Sequence, residues 1–375
     1  EGSNPSLSAE PPPGADPAVG PLVALAAKPD TRLMRLSAPP VHATADQVAG
    51  SFLGLALGDA LGAPVEAHPP EEAARYVRTT LRAGQLPTRG PEGHRFGQVT
   101  DDTQLCRELL LSIAAGGRWN PEDFARRLLN LVASGSLVGP GPATLAAARQ
   151  LALGVPWHEA GLPAPYAGNG AAMRAGPLGV LYGHRPRILA RIVEDQARIT
   201  HQDPRSTAAA LLIAGGAAIA ARRGPIDVAA FVEELGEWVE PLDPGTARAV
   251  RRLEPLARQP VPEATASFRA LRLEPPQPGL SWRGISSHAT SSACWSLYAF
   301  LRHPDEPWEA LCTAIEAGGD TDTLAAMTGA ISGARAGVAG FTERYSLHLR
   351  DGGGWGREDL VMLARCTFAA IHAGP

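Results

Sequence analysis

Two short segments of the chain combine carboxylate and hydroxyl side chains in a way that could bind metal ions. They are Thr100-Asp101-Asp102-Thr103 and Asp320-Thr321-Asp322-Thr323, and each opens a predicted helix. Hard divalent cations such as Mg²⁺ and Mn²⁺ prefer oxygen ligands of this kind. If the fold brings the segments together, their carboxylates would repel one another. A pair of cations about 3.5–4 Å apart would neutralise them and form a hydrolytic centre.

Helix capping is the alternative explanation for these segments. Asp and Thr are favoured at helix N-termini, where they accept backbone hydrogen bonds and interact with the positive end of the helix dipole. One such residue usually suffices for a cap, whereas each segment has four in succession. Zinc is disfavoured, because no histidine pair stands at zinc spacing. The residues alone therefore leave a two-metal site and helix capping both open.

The composition argues against several other functions. Lys28 is the single lysine, so the chain has no lysine for a P-loop or for a Schiff base in its core. Neither a Gly-x-Ser-x-Gly elbow nor a complete Gly-x-Gly-x-x-Gly motif occurs, which disfavours an α/β-hydrolase and a dinucleotide-dependent oxidoreductase. The net charge of −4 lacks the basic excess of a nucleic-acid-binding protein.

Apolar residues recur with helical spacing along most of the chain, and few segments alternate with the period of a strand. Leu105, Leu109 and Ile113 are one instance of this spacing. Breaks rich in Pro and Gly separate the helical runs. We therefore predict an all-α protein, in which residues 45–375 form one globular domain of many short helices. Residues 1–44 are rich in Pro, Ala and Gly and are predicted to be a flexible tail.

Targeting signals and cysteine usage lead us to expect a cytoplasmic protein. The N-terminus has no basic segment followed by an apolar run, as a signal peptide would have. The longest apolar stretch, residues 207–221, is too short to span a bilayer. The four cysteines are scattered without a Cys-x-x-Cys pair, which favours a reduced compartment.

Glycines recur every fourth residue along two predicted helices that adjoin the acidic segments. The two stripes consist of Gly50, Gly54, Gly58 and Gly62, and of Gly329, Gly333 and Gly337. An interior glycine destabilises a helix by about 0.5–1 kcal/mol relative to alanine, so a repeated stripe needs a reason. Close approach of two helix backbones is one such reason.

Five segments occur in a fixed order along the chain: residues 58–66 (GDALGAPVE), 97–104 (GQVTDDTQ), 168–174 (GNGAAMR), 200–201 (TH) and 318–323 (GGDTDT). Together they resemble the motifs of the ADP-ribosylglycohydrolase family, in that family's order and over about residues 46–340. The resemblance implies an orthogonal multi-helix bundle with a binuclear Mg²⁺ or Mn²⁺ site.

The resemblance also assigns the ligands of the two cations. Carried over position by position, these ligands are Thr100, Asp101, Asp102, Asp320, Asp322 and Thr323. Glu66 matches a carboxylate that in some members contacts the metal in a closed state and takes part in catalysis. The catalytic hypothesis gives proton transfer to Glu66 or to a metal-binding aspartate, Asp101 or Asp322.

Other matching positions are implied to bind the substrate. Gly168, Asn169 and Gly170 correspond to the loop around the distal ribose and diphosphate, and Met173 lies in the same motif. His201 matches a histidine on the substrate side, and Gly284-Ile285 resembles the segment that borders the adenosine half.

Four further residues have competing explanations. We expect Asp59 to be a buried bracing residue. Arg174 either binds diphosphate or is a buried residue that anchors the carboxylates of the loop. Tyr166 and Trp282 either stack on adenine or pack in the core.

The implied activity is hydrolysis of the glycosidic bond between ADP-ribose and a modified protein or small molecule, with ADP-ribose as a product. Arginine is the favoured acceptor, because residues 58–67 and 97–103 look closer to the bacterial branch that acts on arginine. Residues 165–167 also differ from the Gly-Ser pair of the serine-directed vertebrate branch. Two alternatives remain: a catalytically silent member of the fold, and an inhibitor of an ADP-ribosyltransferase toxin that uses residues 1–44.

Overall fold

The computed structural model of the protein describes residues 43–222, 224–270 and 283–373. Helices make up 66% of it. Within the described residues the only strands are β1 (Arg350–Asp351) and β2 (Trp355–Gly356), which form a short antiparallel pair. The prediction of an all-α protein is therefore confirmed. Residues 1–42 of the proposed tail lie outside the described residues, whereas Thr44 is the N-cap of the first helix and forms a capping box with Gln47.

The α-helices are numbered in chain order, and most are short. Their bounds are α1 Ala45–Gly62, α2 Pro70–Tyr76, α3 Asp101–Gly116, α4 Pro121–Ala133, α5 Pro142–Ala152, α6 Gly176–Tyr182, α7 Pro186–Arg198, α8 Pro204–Ala220, α9 Val228–Val239, α10 Pro244–Arg251, α11 Leu253–Leu256, α12 Val261–Ala270, α13 Ala289–Arg302, α14 Pro307–Glu316, α15 Thr321–Ala336, α16 Glu343–Ser346 and α17 Arg357–His372. Short 3-10 turns cover Ala63–Val65, Pro91–Gly93 and Val338–Gly340, and a π turn covers Val77–Leu81.

Helices α1 and α15 run antiparallel in direct backbone contact, through the glycine stripes. A Cβ atom added to Gly54 would lie 2.2 Å from the carbonyl oxygen of Gly329, and one added to Gly58 would lie 2.0 Å from that of Ala325. In the other direction, a Cβ on Gly333 would lie 2.0 Å from the carbonyl oxygen of Gly50. No other residue type fits at such separations, so the stripes serve close helix packing, as the sequence indicated.

This pair is the centre of the helical core. Helix α15 also packs against α8, α13 and α14, while α1 packs against α17, which in turn contacts α3. Each of these helices therefore contributes one face to a common interior, with Trp295 of α13 among its largest fully buried side chains. The beginnings of α3 and α15, where the acidic segments lie, are held by the same core.

Among the described residues, one helical stretch, Ala45–Val65, is long and apolar enough to cross a membrane by length and composition alone. Of its most apolar window, 94% is buried inside the fold. Helix α1 packs against both α15 and α17. Its apolar side chains therefore face other helices, which accounts for the high hydropathy of this stretch.

Candidate metal centre

The two acidic segments meet in one cavity of about 190 Å³. The beginnings of α3, α5 and α15, the turn after α1 and the loop before α6 form its walls. The predicted site residues in its lining are Glu66, Asp101, Asp102, Gly168, Asn169, Gly170, Met173, His201, Asp320, Asp322 and Thr323. The fold thus brings together residues that are more than 250 positions apart in the chain.

Asp59 of α1 holds the first acidic segment in place. Its carboxylate accepts hydrogen bonds from the backbone N–H of Thr100 at 2.9 Å and from the hydroxyl of Thr100, also at 2.9 Å. It accepts two more from the backbone N–H and the hydroxyl of Thr103. Asp59 is fully buried, so the expected bracing role is confirmed: α1 supplies the N-terminal cap of α3.

Because Asp59 caps α3, the residues of the segment itself are free for another role. The N-cap residues Thr100 of α3 and Asp320 of α15 make no side-chain capping hydrogen bond to their own helices. Thr100 instead donates to Asp59 and lies behind the cavity lining, within 3.2 Å of Asp102. Capping therefore does not account for Asp101, Asp102 and Asp320, which line the cavity, whereas Asp322 also accepts the N–H of Thr323 at 2.8 Å in the first turn of α15.

Asp102 connects the two segments directly. Its Oδ2 atom accepts a hydrogen bond of 3.2 Å from the hydroxyl of Thr323 on α15. Its Oδ1 atom is buried and has no hydrogen-bond partner among the residues that the structure describes. Buried polar atoms are nearly always satisfied, so an orphaned carboxylate oxygen beside three other carboxyl groups fits a cation ligand.

Glu66 completes the acidic group from the turn that follows α1. One oxygen atom each of Glu66, Asp320 and Asp322 lie within 4.8 Å of one another. Glu66 is exposed on the cavity rim, whereas the two aspartates are buried. The next residue, Ala67, has a φ of 61° and donates its N–H to the carbonyl oxygen of Gly319 at 2.7 Å, which ties the Glu66 turn to the second segment.

Gly284 and Ile285 do not line the cavity, in contrast to their predicted contact with the substrate. Ile285 pairs with Gly319 and accepts the N–H of Asp320 at 2.9 Å through its carbonyl oxygen. A Cβ on Gly284 would lie 2.1 Å from the carbonyl carbon of Gly318. In the described structure these residues therefore support the backbone of the second acidic segment, and their contact with the substrate stays a prediction.

Burial and mutual repulsion raise the pKa values of the acidic groups. Burial lifts the pKa of Asp59 to about 6 and, with the added charge of Glu66, that of Asp320 to about 7. Burial and neighbouring carboxylates also raise the pKa well above its usual value for Asp101, Asp102 and Asp322. Burial, followed by the charges of Asp59 and Glu92, raises the pKa of Glu66. Bound cations would relieve this repulsion.

The central loop closes the opposite wall of the cavity. Asn169 donates from Nδ2 to Oδ2 of Asp320 at 2.6 Å, which joins the loop to the acidic group. Arg174 is fully buried and donates to the carbonyl oxygen of Gly170 and to Gln196. Of its two explanations the anchoring one agrees with the structure, although its partners are backbone, amide and hydroxyl oxygens instead of carboxylates.

His201 and Tyr166 lie side by side next to the central loop. Their ring centroids are 5.8 Å apart, and both side chains line the cavity. His201 is 2% exposed, whereas Tyr166 is 37% exposed, so core packing does not describe Tyr166. Trp282, the other aromatic residue with two explanations, lies outside the described residues.

The sequence analysis missed one wall of the cavity, which consists of Gly139, Gly141, Pro142, Ala143 and Thr144 at the start of α5, together with Ser287. Gly139 has a φ of 68°, and Pro142 occupies the first turn of the helix. A Gly-Pro-Gly-Pro sequence before a helix was the available signal. It marks a turn, yet nothing in it indicates which side of the fold the turn faces.

The family model for ADP-ribosylglycohydrolase matches residues 40–373. The chain belongs to this family. The resemblance of its five motifs to this family is therefore confirmed. Family membership supports a hydrolase that acts on ADP-ribosylated substrates.

Relatives of known sequence and structure agree with this assignment. An uncharacterized protein of Archaeoglobus fulgidus is 32% identical over 80% of this chain and 90% of its own length. The ADP-ribosyl-[dinitrogen reductase] glycohydrolase of Rhodospirillum rubrum is 29% identical, over 81% and 89%. ADP-ribosylhydrolase ARH3 of Mus musculus is 27% identical, over 79% and 85%. A solved ADP-ribosylglycohydrolase-related protein complex superposes with a TM-score of 0.65 and 29% identity, and the match covers 87% of this chain and 98% of that one.

Proposed function

We propose that this ADP-ribosylglycohydrolase family member depends on two divalent cations, Mg²⁺ or Mn²⁺, and releases ADP-ribose from a modified acceptor. The observation that supports the proposal most strongly is the convergence of Glu66, Asp320 and Asp322 beside Asp101 and Asp102 in one cavity. Five carboxyl groups in so small a space repel one another unless protons or cations neutralise them, and the described residues bring no lysine or arginine side chain into the lining.

The lining residues that would hold the cations are Asp101, Asp102, Asp320, Asp322 and Thr323, and Thr100, behind the lining, would support them through its contact with Asp102. All offer oxygen atoms, which suits Mg²⁺ and Mn²⁺ better than softer metals. A bound divalent cation would supply Lewis-acid polarisation and charge neutralisation. Binding to a cation would explain why the buried Oδ1 atom of Asp102 has no hydrogen-bond partner among the described residues.

Glu66 is suited to move the proton during hydrolysis. The reaction breaks the bond between C1″ of the distal ribose and the acceptor atom, and the oxygen of a water molecule takes the place of that atom. A carboxylate on the cavity rim would accept the proton of the water and return it to the departing acceptor. The rim position of Glu66 favours it over the buried aspartates for this exchange, and its raised pKa suits a group that accepts and then returns a proton. If Glu66 is not the proton carrier, Asp101 or Asp322 would have to be.

The opposite wall would hold the ADP-ribosyl group. Gly168 and Gly170 leave space beside Asn169 and His201, and Met173 closes the lining on that side. Arginine is the acceptor we favour, because the Glu66 motif and the Asp101 motif resemble those of the arginine-directed bacterial branch. The Rhodospirillum relative is named for ADP-ribosylated dinitrogen reductase, which supports a modified protein as the substrate.

A panel of substrates with defined linkages tests the proposal. Proteins or peptides ADP-ribosylated on arginine or on serine would be incubated with the full chain in the presence of Mg²⁺, Mn²⁺ or a chelator. Release of free ADP-ribose from the arginine substrate, dependent on the cation, is the expected result. Binding of these substrates without any release would support the silent alternative and contradict the proposal.

A further inference from the structure

A chain of three buried residues leads from the protein core to the substrate wall. Arg174 and Thr200 are fully buried, and His201 is 2% exposed. Arg174 donates from one terminal nitrogen to the hydroxyl oxygen of Thr200 at 2.9 Å. The same hydroxyl lies 2.8 Å from Nδ1 of His201. The imidazole of His201 then lines the cavity.

The direction of the hydrogen bonds in this chain follows from the donor and acceptor chemistry. A guanidinium group can only donate, so the hydroxyl oxygen of Thr200 is the acceptor in its contact with Arg174. The single hydrogen of that hydroxyl has no other acceptor among the hydrogen bonds of the described residues, and Nδ1 of His201 lies in position to receive it. When Nδ1 accepts in this way, the hydrogen of a neutral imidazole must be on Nε2.

The surroundings of His201 keep the imidazole ring uncharged and leave its Nε2 edge, which faces away from Thr200, uncovered. Burial, supported by the charge of Arg174 and opposed by that of Asp203, lowers the pKa of His201 to about 3. A Cβ atom on Gly168 would lie 2.9 Å from Nε2, and one on Gly170 would lie 3.0 Å from Cε1. Two glycines therefore leave the Nε2 edge uncovered at the point where the central loop meets the cavity.

We propose that Arg174 and Thr200 are positioning residues that fix His201 as the neutral tautomer with its hydrogen on Nε2. The cavity then presents a permanent N–H donor to an oxygen atom of the ADP-ribosyl group. His201 binds and orients the substrate and does not exchange protons with it. This role rests on the proposed function for its ligand, whereas the tautomer itself depends only on the protein.

Nitrogen-15 NMR of the full chain labelled at histidine tests the tautomer without any substrate. Long-range ¹H–¹⁵N spectra distinguish a protonated from an unprotonated ring nitrogen, and His201→Gln identifies the signals of His201. We expect protonated Nε2 in the wild type and in Thr200→Ser, which keeps the hydroxyl. Thr200→Val has the same shape without the hydroxyl, and there we expect a mixture of tautomers.

Calorimetric titration with ADP-ribose adds the functional half of the test. Loss of one oriented neutral hydrogen bond predicts affinity that is roughly twofold to tenfold weaker in Thr200→Val, with Thr200→Ser close to wild type. A wild-type His201 with its hydrogen on Nδ1 would overturn the proposal, even if Thr200→Val did not fold. So would equal ADP-ribose affinity in Thr200→Val and the wild type. A protein that carries the Nε2 hydrogen and binds ADP-ribose, yet hydrolyses no linkage, would contradict the proposed function only.

Discussion

Gly58→Ala tests whether the close contact of α1 and α15 supports both the fold and the metal centre. The added Cβ atom would lie 2.0 Å from the carbonyl oxygen of Ala325 and 2.3 Å from its carbonyl carbon, whereas ordinary van der Waals contact begins at 3.4 Å. Both atoms belong to the backbone of a buried helix, so no flexible side chain can move away. The two helices must separate or tilt.

The expected loss of stability combines two opposing effects. Overpacking of a well-packed core typically destabilises a protein by about 1–3 kcal/mol, and a clash with backbone belongs at the upper end of that range. Alanine is better than glycine inside a helix by about 0.5–1 kcal/mol, which offsets part of the loss. We therefore expect Gly58→Ala to lower the free energy of unfolding by about 2 kcal/mol.

Gly116→Ala is the matched control for this experiment. Gly116 is the last residue of α3, and a Cβ atom added there would meet nothing within 4 Å. The same chemical change should leave stability unchanged or raise it by up to about 1 kcal/mol. Urea unfolding followed by circular dichroism measures both variants, and release of ADP-ribose measures their activity.

The activity of Gly58→Ala should fall further than its stability explains. Gly58 precedes Asp59, and its partner Ala325 lies one helical turn after Thr321. A shift of the two helices would therefore move the two acidic segments relative to each other. If Gly58→Ala unfolded at the same urea concentration as Gly116→Ala and kept full turnover, the close packing would not be what positions the site.

Four other predictions concern the site. Exhaustive chelation should abolish hydrolysis, and Mg²⁺ or Mn²⁺ should restore it better than Zn²⁺; full activity in chelator would contradict the two-metal proposal. Asp322→Asn should reduce turnover more than His201→Ala, because it removes a charge from the metal site, and equal losses would contradict this ranking. Glu66→Gln should lower kcat by about 10²–10⁴-fold with little change in melting temperature, and near wild-type kcat would exclude Glu66 as the proton carrier. In chelator, the protein should melt at a higher temperature at pH 6.5 than at pH 8, and added Mg²⁺ should reduce the difference. The reason is that folding raises the pKa of the buried aspartates (to about 7 for Asp320), so that the folded state loses stability as the pH rises through those values. A melting temperature independent of pH in chelator would show that the carboxylates do not repel one another as described.

The sequence predicted those parts of the site in which local chemistry and long-range packing agree. Both acidic segments begin helices, and the structure places those beginnings at Asp101 and Thr321, next to one another. The glycine stripes predicted which helices would lie close together, because a side-chain-free face has few other uses in a stable helix.

Other features depended on contacts that a single sequence does not reveal. The turn before α5 and Ser287 contain ordinary loop residues, and only the folded chain shows that they face the cavity. Gly284 and Ile285 were predicted at the substrate, yet their backbone atoms brace Gly318 and Asp320. A resemblance transfers the position of a residue, whereas the direction of its side chain and backbone groups depends on the surrounding loop.

Helix α1 explains how the two acidic segments, which are far apart in the sequence, meet in one cavity. Its glycine face brings α15 within backbone contact, its Asp59 caps α3, and the turn at its end brings Glu66 within 4.8 Å of Asp320 and Asp322. Helix α1 thus fixes the positions of Glu66 and of both acidic segments, whose carboxylates would otherwise repel one another. A shift of α1 would therefore be expected to alter metal binding, proton transfer and stability together, whereas a change in the central loop that keeps the hydrogen bond from Asn169 to Asp320 should act mainly on substrate binding.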